Sequence, residues 1–182
     1  MKNIMVDLEC FGRAPYGAIV SIGAVEFDSH GIKDGYYQNI LPSSATNMGM
    51  NINPETIDWW LQQSKEAQNA LFEGDRIDLK DALVTFCFWA MKDDDKKYTM
   101  WANGVTYDFA ILRKAFDLCK LTNSHVFWTY RDEMCMRSLR KIGKGLGLPY
   151  EKDKEKAHNA LYDAKVQAEY VIALYKKLGI SL

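Results

Sequence analysis

The seven residues from Asn3 to Glu9, NIMVDLE, constrain this chain more than any other stretch. Ile4, Val6 and Leu8 alternate with Met5, Asp7 and Glu9, and side chains two apart in an extended strand share a face. A run that is apolar on both faces reads as a buried strand, yet this one ends with two carboxylates projecting to the same side. Carboxylates held that close, away from water, repel each other unless a proton or a cation stands between them. The strand therefore asks for a metal ion, and other parts of the chain should supply its remaining ligands.

Beyond it, Ala18 to Asp28 and Ile32 to Leu41 read as two further strands around the turn Asp28 to Gly31, giving an antiparallel three-strand meander. Pro42 to Asn53 reads as irregular. Asn53 is placed to cap a helix opened by Pro54, and Asp78 to cap a second, LKDALVTFCFWAMK. Tyr98 to Ala102 and Val126 to Tyr130 read as a fourth and a fifth strand. Helices are predicted over Thr106 to Cys119, Glu133 to Lys144 and Asn159 to Leu178, with a mobile, charge-dense loop before the last. Strands followed by strands alternating with helices predict an α/β fold on a mixed five-stranded sheet, the meander plus two parallel strands, flanked by helices. With 182 residues and no repeat or low-complexity linker, residues 1–182 are expected to form a single domain.

Two helices carry acids on the wrong side. Asp108 shares a stripe with Ile111, Leu112 and Ala115, while Arg113, Lys114 and Asp117 lie opposite. Asp163 shares its side with Val166, Tyr170, Val171 and Leu174, away from Lys165, Glu169 and Lys176. Either aspartate alone could be a cap or half of a buried ion pair. Four inward acids without a matching inward base are better explained by a metal site. His158, five residues before Asp163, cannot share its helical face and belongs to the loop or the first turn.

Taken in order, Asp7-Leu-Glu9, then Asn103-Gly104 with Tyr107-Asp108-Phe109, then His158-Asn-Ala-Leu-Tyr-Asp163 resemble the three motifs of the DEDD exonucleases, in the DEDDh form. The stretches Glu55 to Ala67 and Trp101 to Asp108 are more specifically similar to the RNase AS-like exoribonucleases and the related phage exodeoxyribonuclease A. The resemblance implies an RNase H-like fold, a 3'-5' exonuclease and a homodimer. Cys10 and Phe11 stand where many DEDDh members carry Thr, and Asn103 lies one residue further from Asp108 than the family's asparagine.

A two-metal displacement releasing nucleoside 5'-monophosphates from single-stranded RNA or DNA, or from 3' overhangs, fits these residue types. Carboxylates suit Mg²⁺, with Mn²⁺ able to substitute. Asp7 is expected to bridge two ions, Glu9 and Asp163 to complete one and Asp108 to serve the other, with His158 as general base. Substrate contacts are expected from Cys10, Phe11, Trp59, Asn103 and Arg137. Of the adjacent Trp59 and Trp60, at least one should pack in the core. Arg131, Arg137, Arg140, Lys141 and Lys144 are either a solvated face or a phosphate track. A net charge of −1 supplies no overall field for nucleic acid, so any phosphate partner needs a local patch or metal ions. Four cysteines without metal spacing suggest free thiols in a reducing cytosol. The longest apolar run, Ala82 to Met91, is too short for a membrane span. Two other readings compete: a non-catalytic nucleic-acid or protein-binding module on the same fold, which should have lost a ligand, and a metal-dependent hydrolase of free nucleotides.

Overall fold

A computed structural model describes residues 2–93, 97–121 and 125–182. Its centre is β1 (Lys2–Cys10), with β2 (Ile19–Asp28) antiparallel on one side and β3 (Gly31–Ile40) antiparallel beyond that. The expected meander is present. On the far side of β1 runs β5 (Tyr98–Ala102), in parallel, followed by β6 (Glu133–Cys135), also parallel. A two-residue strand, β4 (Arg76–Ile77), pairs in parallel with the end of β3. The sheet order is β4-β3-β2-β1-β5-β6, six strands where five were expected.

Two departures have physical causes. β4 is too short to leave an alternation in the sequence. Val126 to Tyr130, expected as a strand, makes none: residues 126–129 are irregular and Tyr130–Asp132 form a 3-10 turn behind a Thr129 cap. The aromatic run there serves rings rather than a ladder. Phe127 packs edge-on to Tyr98 with centroids 4.7 Å apart, and Trp128 packs on Phe116 at 5.7 Å. The strand role passes to Glu133–Cys135, so the helix expected from Glu133 begins only at Met136.

Seven helices cover the sheet among the described residues: α1 (Pro42–Asn47), α2 (Pro54–Leu61), α3 (Lys65–Ala70), α4 (Leu79–Ala90), α5 (Asp108–Leu118), α6 (Met136–Gly145) and α7 (Ala160–Leu178). The Asn53 side chain accepts from Thr56 N–H at 3.0 Å and Pro54 opens α2, as predicted. Ser64 starts a separate α3 by accepting from Ala67 N–H. Asp78 occupies the cap position of α4 without capping it; Leu79 N–H instead donates to Ser44 Oγ at 2.9 Å. α1 stands where irregular chain was expected. No helix among the described residues is long and apolar enough to cross a membrane.

The two faces of β1 feed different layers. Ile4, Val6, Leu8 and Cys10 join the core under α4 and α5, with Leu83, Phe86, Ile111 and Leu112. Met5 joins Trp101, Ala168, Val171 and Leu174 under α7. Asp7 and Glu9 follow Met5 in the alternation, so the strand carries both towards the start of α7.

Candidate metal and nuclease site

Glycine decides how closely α7 approaches. Asp7 pairs across the sheet with Gly23, and a Cβ on Gly23 would stand 2.1 Å from the Ala160 carbonyl carbon. The first turn of α7 therefore lies directly on the backbone of β2. Asn159 caps that turn by accepting from Tyr162 N–H at 3.0 Å. Asp163, one turn in, comes to rest beside β1, whose register slips immediately after Glu9. Bulges of this kind recur next to active sites, where they end a ladder and re-aim a side chain. Asp108 arrives from the start of α5, where Gly104 N–H donates to its Oδ2 at 3.2 Å.

The four carboxylates and His158 line one cavity of about 430 Å³, together with Asn103, Arg137, Lys152 and Gln167. Glu9, Asp108 and Asp163 are buried, and Asp7 is partly buried. One ligand atom each from Glu9, His158 and Asp163 lies within 4.8 Å of the others, a spacing a single cation could span. Gln167 Nε2 donates to Asp7 Oδ1 at 2.7 Å. His158 N–H donates to Asp163 Oδ2 at 3.2 Å, and the Lys152 ammonium also binds that oxygen. Asp163 Oδ1 is buried with no hydrogen-bond partner among the described residues.

Burial dominates the electrostatics. Loss of water pushes Asp7 well above the usual carboxylate range, and Asp108 and Asp163 push it further. Glu9 is raised for the same reason, helped by Asp7 and Asp163. Asp108 is pushed up to about 6 by burial, against the opposing Gly104 N–H. His158 is lowered by burial and then by Lys152, with Asp163 pulling the other way. A cluster this reluctant to ionise, with an orphaned carboxylate oxygen, suits a hard divalent cation. The residues present fit such a group.

The expected substrate residues are distributed unevenly. Asn103 and Arg137 line the carboxylate cavity; Asn103 O accepts from Arg137 N–H at 3.0 Å, and Asn103 Oδ1 is buried without a partner among the described residues. Cys10 and Trp59 line an adjoining cavity of about 430 Å³ with Glu9, Arg13 and Glu55. Trp59 is 42% exposed, its ring edge-on to the His158 ring at 4.9 Å. Trp60 is the core member of the pair, donating from Nε1 to Cys10 O at 3.0 Å. Phe11 borders neither cavity and packs against Trp60. His158 sits in the left-handed region, φ 67°, on the loop side of the Asn159 cap.

Sequence reasoning missed Lys152, Gln167 and Tyr107. Gln167 is four residues after Asp163 on the same helix, a spacing that could have found it. Lys152 is an inward base where none was expected, and one of three alternating lysines in EKDKEK offers no signal of its own. Tyr107 lines the same cavity and donates from its hydroxyl to Gly12 O at 3.0 Å.

Known proteins can be set against this geometry. The model of the 3'-5' exoribonuclease Rv2179c-like domain matches residues 2–175. No curated protein matches the chain by sequence. Among solved structures, the nuclease domain of 3'hExo, described as a DEDDh family member bound to rAMP, superposes with a TM-score of 0.60 at 13% identity, over 97% of this chain and 92% of that one. A full-length 3'-exonuclease gives 0.60 at 15% identity, over 100% of this chain and 62% of that one. Exonuclease X, in complex with 5' overhanging duplex DNA, gives 0.53 at 16% identity, over 98% and 94%. At these identities the structural likeness speaks for the fold, which is the RNase H-like one the motifs implied.

Proposed function

The chain belongs to the 3'-5' exoribonuclease Rv2179c-like domain family, and on that premise we propose that it shortens single-stranded RNA from the 3' end, releasing nucleoside 5'-monophosphates. It is a metal-dependent 3'-5' exonuclease; the substrate, the metal and the residue roles are our reading. The observation that carries it is the convergence of Asp7, Glu9, Asp108 and Asp163 on one cavity from three separate segments, with His158 beside them.

We assign those four carboxylates to two Mg²⁺ ions, for which Mn²⁺ could substitute. Such ions neutralise charge on the attacking and leaving oxygens of a phosphodiester. The remaining steps fall to the chain itself. His158, held below the ordinary imidazole range, is neutral near pH 7 and accepts the proton of the attacking water at the ring nitrogen that faces Glu9 and Asp163. Trp59 packs edge-on against the imidazole and holds its orientation. Gln167 fixes the Asp7 carboxylate, and Gly104 N–H fixes that of Asp108. Lys152, now on Asp163, is the cation that would have to share that carboxylate with a metal. Arg137 and Asn103 reach the substrate backbone from the α5 and α6 side.

A non-catalytic module on this fold should have lost a ligand, and all five positions are filled. We further read residues 1–182 as a single exonuclease domain that works as a homodimer, checked by light scattering. Four free thiols favour a reducing compartment such as the cytosol. The test is incubation with Mg²⁺ or Mn²⁺ and 3'-labelled single-stranded RNA and DNA in parallel. Labelled mononucleotide is expected from RNA first, none with EDTA, and none from Asp7→Ala. Release that survives Asp7→Ala, or DNA consumed in preference to RNA, would overturn this reading.

A further inference from the structure

Building on the exonuclease reading, we propose that the outward face of α6 is the track for the RNA strand upstream of the cleaved bond, its phosphates meeting Arg137, Arg140, Lys141 and Lys144. These four residues are spaced i, i+3, i+4 and i+7, so they crowd one side of one helix. Like charges at that spacing repel, and no acid on α6 itself offsets them; only Arg137 and Arg140 reach the carboxylate cavity, where Arg137 acts on Asp108. Residues 136–149 contain no acid. Among the described residues none of the four forms an ion pair. The protein's net charge is −1, so this face is a local concentration rather than part of a basic molecule. A face built this way suits a partner with regularly spaced negative charge.

Its position names the partner. The four cations border a cavity of about 540 Å³. Arg137, Arg140 and Tyr150 line that cavity and the carboxylate cavity alike, so the two are contiguous. At the junction the Arg140 guanidinium lies over the Tyr150 ring at 4.2 Å, and Tyr150 is braced edge-on by Tyr170. Arg137 rests on Gly104, where a Cβ would come within 2.9 Å of its guanidinium nitrogen. Gly143, on the inner side of α6, lets the helix seat on the Tyr170 hydroxyl, leaving the cationic side outward. The Trp59 and Cys10 cavity lies on the Glu9 side of the carboxylates. A bond broken at the carboxylates divides the strand in two. One side holds a single nucleotide, which the Trp59 cavity takes; the other holds the remaining chain, which α6 takes. The 3' terminus then lies towards Trp59 and the 5' body runs along α6.

Lys141 and Lys144 are the discriminating pair, because they line the α6 cavity and not the carboxylate cavity. The double variant Lys141→Ala/Lys144→Ala is first checked for an unchanged melting temperature. Binding of an RNA octanucleotide is then measured against salt in the Asp7→Asn background with Mg²⁺, so that no strand is consumed. Removing two phosphate contacts on a single strand should flatten the slope of log Kd against log salt by about 1.4. With active protein, kcat/KM for the octanucleotide relative to a dinucleotide should fall several-fold in the double variant, since the single phosphodiester of a dinucleotide is the one held at the carboxylates and leaves none for the lysines. An unchanged slope together with an unchanged ratio would overturn the track and leave α6 a solvated face. The salt slope needs no turnover. A protein that binds RNA through Lys141 and Lys144 yet releases no mononucleotide would keep the track and sink the hydrolytic reading instead.

Discussion

Replacing Asp7 by asparagine removes one charge, changes almost no volume and keeps the acceptor oxygen for Gln167 Nε2. In metal-free protein the substitution should therefore stabilise the fold. The reason is the sign of the carboxylate shifts. Burial raises Asp7 and Glu9 well above their ordinary range and moves Asp108 from 3.8 to about 6. A carboxylate whose folded pKa is raised contributes stability that is whole below its unfolded pKa and lost as pH rises through the folded one. For Asp108 that loss is about 3 kcal/mol between pH ~4 and neutrality, and Asp7 and Glu9 add to it with the same sign. Between pH ~5 and pH ~8 Asp108 alone accounts for about half of that, so at roughly 2–4 °C per kcal/mol for a chain of this size metal-free wild type should melt at least about 3–6 °C lower at pH ~8 than at pH ~5. Asp7→Asn should recover several degrees of that at pH ~8 and less at pH ~5, because the raised carboxylate costs less stability as pH falls. Mg²⁺ at about a hundred times its Kd should stabilise wild type by about 2.7 kcal/mol and the variant much less. Thermal melts followed by circular dichroism, in EDTA and then in Mg²⁺ at both pH values, measure all of this. If Asp7→Asn melts below wild type at pH ~8 in EDTA, Asp7 is an ordinary structural carboxylate and the metal-cage reasoning fails.

Three other perturbations probe the same geometry. His158→Ala should lower kcat by about 10²–10⁴-fold, and the wild-type acid limb should lie below the usual imidazole midpoint of about 6.5, because burial and Lys152 disfavour the charged ring; a limb well above that midpoint contradicts the assignment. Trp59→Ala removes the ring set edge-on to His158, a contact of about 1 kcal/mol, and should cost roughly five-fold in kcat with Trp59→Phe restoring most of it; a change confined to KM would make Trp59 a substrate contact alone. Gly23→Ala places a Cβ 2.1 Å from Ala160, so α7 must lift and carry Asp163 away from Asp7; mononucleotide release and Mg²⁺-dependent stabilisation should fall together, and retention of both would show that the close approach is dispensable.

How much of this was readable beforehand depends on what each residue has to satisfy. β1 was legible because a strand buried on both faces admits few sequences, and two acids at its end break that rule visibly. Asp108 and Asp163 were legible for the same reason on helices, where an acid among Ile111, Leu112 and Ala115 has no solvent to face. Phe127 and Trp128 misled, because an aromatic pair suits a strand and a ring cluster equally, and only the packing partners Tyr98 and Phe116 decide between them. Gly23 gave no warning: a glycine inside a strand is ambiguous until the element that crosses it is known, and Ala160 is 137 residues further along the chain. Lys152 lay beyond reach for a different reason. Its neighbours Lys154 and Lys156 stay exposed, and the loop's path over Asp163, not any local pattern, selects which ammonium turns inward. The acids were found by the cost of burying them, whereas the base that meets them comes from a loop with no such cost to reveal it. The same asymmetry leaves the α6 cations undetermined from sequence alone: exposed charge is inexpensive wherever it lies, and only its continuity with the carboxylate cavity gives it a purpose.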